Sequence, residues 1–108
     1  MAWSRTAYRL VHQDLLNGTA TLALAGELDL TVVPALARDL EQALAGQPQR
    51  LVLDLTQVTV VDVAAARLLA GATRPQPATG PPVLRRAGPE ARRILALTGL
   101  DALCEFDD

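Results

Sequence analysis

Asp62 stands where one kind of chemistry gives way to another. Before it runs Leu51-Val52-Leu53-Asp54-Leu55, rich in leucine and β-branched valine; after it comes Val63-Ala64-Ala65-Ala66-Arg67-Leu68-Leu69, an alanine-rich helical pattern. A carboxylate at that junction can accept hydrogen bonds from the N–H groups a new helix leaves unpaired, and its charge complements the helix dipole. The same N–H groups are what an anion site uses, and α/β folds place ligands and partners at the carboxyl ends of parallel strands. A second acidic stretch, Gly26-Glu27-Leu28-Asp29, follows another strand-like run. Side by side, the two stretches would concentrate negative charge, which opposes binding of a nucleotide phosphate and suits a basic partner surface.

Paired carboxylates invite a general acid–base reading, but neither stretch brings a histidine, a lysine or a cysteine with it, and the chain has no glycine-rich phosphate loop. Ser4, the only serine, lies in the expected N-terminal tail, so no Ser-His-Asp triad can be assembled around it. His12 is the only histidine and cannot build a histidine-rich metal site; it is expected on the first strand, on one side with Tyr8 and Leu10. Cys104 is alone, which excludes a disulfide framework within the chain, and in its apolar run it reads as a buried, inert thiol. No catalytic residue, metal or cofactor is expected.

The chain of 108 residues suits one domain, and its 50% hydrophobic content suffices for a core without disulfide or metal support. A net charge of −2 lacks the basic excess of a nucleic-acid binder. Every basic residue is arginine, a pattern that fits base composition better than a site. No apolar run reaches the ~18 residues of a membrane span, and Met1–Arg9 lacks the apolar core of a signal peptide. The expectation is a cytoplasmic protein with no nucleic-acid partner and no direct membrane insertion.

The elements that must position the acidic stretches follow from pattern. Residues 1–7 form a tail and residues 8–108 a single domain. Tyr8–Asp14 is strand-like, and Asn17-Gly18 is the dipeptide a tight hairpin favours. Thr19–Ala25 alternates, with Ala20, Leu22 and Leu24 on the core side. Gly26–Asp29 is too polar to continue that strand. Thr31 is expected to cap a helix over Val32–Ala45, with Leu36, Leu40, Ala43 and Leu44 as its stripe and Gly46 as its stop. Leu51–Leu55 is the next strand, Thr56–Thr59 a polar turn, and Val63–Ala72 the second helix. Thr73–Gly80 is a loop and Pro82–Arg86 a short strand. Pro89 opens a third helix, and Thr98-Gly99-Leu100 closes it. Ala102–Phe106 is the last strand. The fold class is therefore α/β in the order β-β-α-β-α-β-α-β: a small mixed sheet with an N-terminal antiparallel hairpin, right-handed crossovers and packed helices.

This order, with Gly26-Glu27-Leu28-Asp29 after the second strand, Val60-Val61-Asp62 after the central one and Thr98-Gly99-Leu100 at the end, resembles the STAS domain, the fold of bacterial anti-sigma factor antagonists. The resemblance runs over roughly residues 8–106. It implies a partner-switching role. The family carries a serine or threonine after the switch-loop aspartate, which a kinase-type anti-sigma factor phosphorylates; phosphate adds about −1.5 to −2 charge and separates the pair.

This chain departs there. Val63 takes the phosphoacceptor position and Ala64 the next hydroxyl position, so neither can carry phosphate; Ala65 and Arg67 replace glycines. The resemblance implies a surface over residues 29–32, 59–63 and the helix to about Leu69, with Asp29, Thr31, Thr59, Asp62, Val63, Ala64, Ala66 and Arg67 as its contact residues, meeting an anti-sigma factor or serine kinase-type regulator. Thr59 is the alternative phosphosite. The resemblance also admits docking on the ATPase of an ABC-type lipid transporter, or a small ligand bound around Asp29, Thr59 and Asp62. An uncovered sheet face or edge admits a homodimer.

Overall fold

The computed structural model describes residues 7–72, 81–99 and 104–107. Asn17 and Gly18 take φ of 53° and 81°, the left-handed pair whose twist matches two antiparallel strands. They join β1 (Arg9–Leu16) to β2 (Thr19–Leu28). The turn also seats the next strand: Gly18 O accepts from Gln49 N at 2.7 Å and Arg50 N at 3.1 Å, where β3 (Arg50–Val61) begins. Then come α1 (Val33–Ala45) between β2 and β3, α2 (Val63–Ala72), β4 (Val83–Arg85), α3 (Pro89–Leu97) and β5 (Glu105–Asp107). The five strands lie in chain order, β1-β2 antiparallel and each later pair parallel. The expected element order and mixed sheet are those observed.

One core lies between the sheet and the helices. Leu22 and Leu24 of β2, Leu51, Leu53 and Leu55 of β3 and Leu84 of β4 are at most 2% exposed. They pack with Leu36, Leu40 and Ala43 of α1, Ala65, Ala66 and Leu69 of α2 and Leu95 of α3. Each buried leucine is worth roughly 1.5–3 kcal/mol over its exposed state. The alternate residues, Thr21, Val52, Asp54, Val83, Arg85, Glu105 and Asp107, belong to the opposite sheet face. Two exposed ion pairs, Arg50–Glu105 at 3.2 Å and Arg85–Asp107 at 3.3 Å, flank a groove of about 480 Å³ there.

Three bulges separate this sheet from the expected one. Both shifts in the β2–β3 ladder give β3 an extra residue: Ala23 pairs with Asp54 but Ala25 with Gln57, and Gly26 with Val58 but Glu27 with Val60. Bulged residues lose the alternation that marks a strand. That is why Thr56–Thr59, expected as a turn, belongs to β3. Asp54 braces the first bulge, its Oδ1 accepting from the backbone N–H and the hydroxyl of Thr56. Its partial burial pushes the carboxyl up, but those two hydrogen bonds, with Arg85 and Arg86, outweigh it and hold the carboxyl below the ordinary range. Gly26 takes φ of 94° at the second shift, and β2 continues through Gly26, Glu27 and Leu28, past its expected end at Ala25. In β1 the shift falls between Leu10 and His12. Leu10 pairs with core-facing Leu24 and His12 with Ala23, so His12 faces the open side, opposite Leu10 rather than beside it.

Two ends differ in their chemistry. Asp29, not Thr31, caps the chain's entry to α1: its side chain accepts from Thr31 N at the single 3-10 turn Leu30–Val32 that precedes the helix. Gly46 ends α1 in an ordinary helical conformation, and Gln47 takes the positive φ of 52°. A Cβ at Gly46 would lie 2.9 Å from Leu15 Cδ2, the far end of an exposed side chain that can turn aside. At α3 the expectation holds for Gly99, φ 79°; Leu100, Thr73–Gly80 and Ala102–Leu103 lie outside the described residues. Cys104 is half-buried rather than fully enclosed.

Candidate functional site

The longest strands, β2 and β3, end together, with Leu28 paired to Val61. Both acidic stretches therefore arrive at one end of the sheet. The Asp62 backbone N–H donates to Leu28 O at 2.9 Å, tying the junction to β2. Its side chain works in two directions. Oδ1 accepts from Ala65 N at 2.9 Å, capping α2. Oδ2 accepts from Leu30 N at 3.0 Å, holding the turn after β2. Asp62 thus joins β2, the following turn and α2 at one point. The carboxylate of Asp29 is also engaged locally, by the backbone N–H and hydroxyl of Thr31.

These bonds spend the carboxylates on shape. What they present to solvent is apolar: Leu30 is 68% exposed, Val60 46% and Val63 38%. Thr31, Thr59 and Arg67 are exposed beside them, and Ala64 is half-exposed. Ala66 is fully buried, so its role is close packing under the surface rather than contact with a partner. Arg67 lies one helical turn past Val63 and can extend the same surface. The expected contact stretches, residues 29–32 and 59–63, contain Leu30 and Val60, but residue pattern singles out neither side chain. Val60 follows the second bulge, where alternation gives no clue to facing, and Leu30 is a lone apolar residue among polar neighbours.

A cavity of about 390 Å³ opens next to this surface, lined by Tyr8, Glu27, Asp29, Thr31, Val32 and Ala35 among others. It includes Asp29 but neither Thr59 nor Asp62. The Tyr8 hydroxyl donates to Asp39 of α1. Burial, followed by the hydrogen bond and negative charge of Asp39, pushes its ionisation well above the usual range. Among the described residues, no cluster of histidine, cysteine and carboxylate groups could hold a metal ion.

A family model described as Mlab, STAS domain matches residues 11–105. The chain belongs to the STAS family. An anti-sigma factor antagonist from Mycobacterium paratuberculosis is similar in structure and sequence: 26% identity, TM-score 0.81, over 94% of this chain and 86% of that one. The unphosphorylated form of the anti-sigma factor antagonist SpoIIAA is similar in fold, at 20% identity, TM-score 0.72, 94% and 89% coverage. The phosphorylated form of the Bacillus cell fate determinant SpoIIAA gives 19% identity, TM-score 0.63, 94% and 92% coverage. No curated protein matches the chain. Among the described residues of this STAS domain, no helix is long and apolar enough to cross a membrane.

Proposed function

We propose that this STAS domain is a binding module of the anti-sigma factor antagonist type, and that it docks through the Asp62-organised end of the sheet. The observation that carries the reading is the exposed trio Leu30, Val60 and Val63, from the turn after β2, the end of β3 and the start of α2, which the Asp62 side chain joins. A surface fixed before binding loses less entropy on association. Thr31, Thr59, Ala64 and Arg67 complete it, with Asp29 and Asp62 shaping it from beneath. A binding role rather than a catalytic one fits carboxylates already engaged by backbone N–H groups.

The partner on this reading is an anti-sigma factor of the serine-kinase type. Val63 and Ala64 carry no hydroxyl, so the complex is not released by phosphorylation at those positions. Its level is set by protein abundance. Incubation with that kinase and ATP, read by intact mass, tests this: the mass stays unchanged. One added phosphate, mapped to Thr59 or elsewhere, overturns the unswitched version.

A second reading is docking of the same surface on the ATPase of an ABC-type transporter. The lack of a phosphoacceptor favours it equally, because a permanent subunit needs no release. Calorimetric titration against each partner class separates the two: binding to the anti-sigma factor alone supports the first, binding to the ATPase alone the second.

A further inference from the structure

The edge strand β1 is the second apolar surface of this protein. Val11 is 44% exposed, Leu15 52% and Leu16 66%. It is eight residues long and, among the described residues, pairs with β2 on one side only and ends the sheet. Its other backbone groups form a template for a further strand, and proteins ordinarily blunt such edges with lysine or proline. β1 carries neither. β5, at the far edge, has only three residues.

We propose that β1 pairs antiparallel with β1 of a second copy about a two-fold axis at Gln13, joining two sheets into one. The pattern of the strand is self-complementary in that register. Gln13 meets its own copy, His12 meets Asp14, and Val11 meets Leu15. The faces agree. His12 and Asp14 both belong to the open face, since they pair with Ala23 and Thr21; Gln13 and Leu15 belong to the helix face, since they pair with Leu22 and Ala20.

Within one copy His12 Nε2 lies 3.0 Å from Asp14 Oδ2, both side chains well exposed. Two-fold pairing alternates two imidazoles with two carboxylates, so each histidine has an acidic neighbour from both copies. Opposite charges and apolar pairs directly across a ladder are each worth roughly 0.2–1 kcal/mol. The bulge between Leu10 and His12 ends the matched segment at Val11. This dimer leaves the Asp62 end of the sheet untouched, so it stands or falls independently of the proposed function.

Sedimentation equilibrium of the whole chain from about 10 µM to about 1 mM tests it. A monomer–dimer equilibrium is expected, with no larger species. Gln13→Lys and Gln13→Glu, both at an exposed position, each place like charges across the axis and raise the dimer dissociation constant about fivefold or more. An equimolar mixture of the two restores dimer, because lysine then faces glutamate. Circular dichroism checks that both variants fold. Monomer throughout, larger oligomers, a dimer indifferent to both substitutions, or a mixture without rescue overturns the proposal. Were neither variant to fold, Val11→Lys, which sets a charge against Leu15 of the other copy, is expected to weaken the dimer, and a dimer indifferent to it overturns the proposal.

Discussion

The free edge of β1 and the Asp62 end of the sheet expose similar amounts of apolar surface by different means. Six of the seven large apolar side chains exposed among the described residues divide evenly between them, with Leu97 the remainder. At β1 the recognition element is backbone: an unpaired ladder whose side chains set register. At the Asp62 end it is side chain: Leu30, Val60 and Val63 stand on a turn, a strand end and a helix start whose junction is held by hydrogen bonds to Asp62 and Asp29. The first can accept any strand of matching register. The second accepts only a surface of matching shape. A strand edge therefore favours a second copy of this chain, and the Asp62 end a dissimilar partner.

The comparison breaks most completely where the two regions share a foundation. Leu40 of α1 is fully buried in the single core on which the sheet and helices pack. Leu40→Ala is expected to cost about 2–5 kcal/mol in urea unfolding and to weaken both surfaces together. A loss below about 1 kcal/mol would mean that the core closes around the gap.

Asp62→Ala separates them. It removes the α2 cap and the tie to Leu30, and is expected to cost about 2 kcal/mol. Partner binding weakens while β1 self-association is unchanged. Equal stability of the variant would show that the three-way junction is not what holds the turns.

Tyr8→Phe is the smallest change, in the residue just before β1 that also lines the cavity beside Asp29. Losing the hydrogen bond to Asp39 is expected to cost about 1 kcal/mol at neutral pH. The pH dependence has a definite sign. The folded-state ionisation of Tyr8 is raised above its unfolded value, so its contribution is fully present below about pH 10 and is lost as pH rises through the folded value. The wild type therefore loses stability at alkaline pH more steeply than Tyr8→Phe. Asp54 acts with the opposite sign. Its folded value is lowered, so its contribution is present above about pH 4 and fades as pH falls through the folded value.

Much of the fold was legible because residue patterns and local chemistry agreed. Asn17-Gly18 marked the hairpin, Leu51, Leu53 and Leu55 marked the core face of β3, and the second helix has the expected bounds, Val63–Ala72. Legibility failed at the bulges. Thr56–Thr59 is polar and breaks alternation, as a turn would, yet the ladder continues because an extra residue is absorbed rather than the strand ended. The same insertion hid Val60. Asp62 was recognisable as a cap from its place before the helix. Its second bond, to Leu30 N, was not, because it joins residues 32 apart in sequence. Family likeness pointed to Val63, and the structure leaves that side chain exposed.

The central claim is that a partner docks on the surface around Val63 without a phosphate switch. Isothermal titration of the wild type and Val63→Asp against the kinase-type anti-sigma factor tests it most directly. A carboxylate at that apolar position must be desolvated when a partner covers it. The wild type is expected to bind, and the variant to bind at least about tenfold more weakly, a difference of about 1.4 kcal/mol. Wild-type affinity in a folded Val63→Asp variant would contradict the claim.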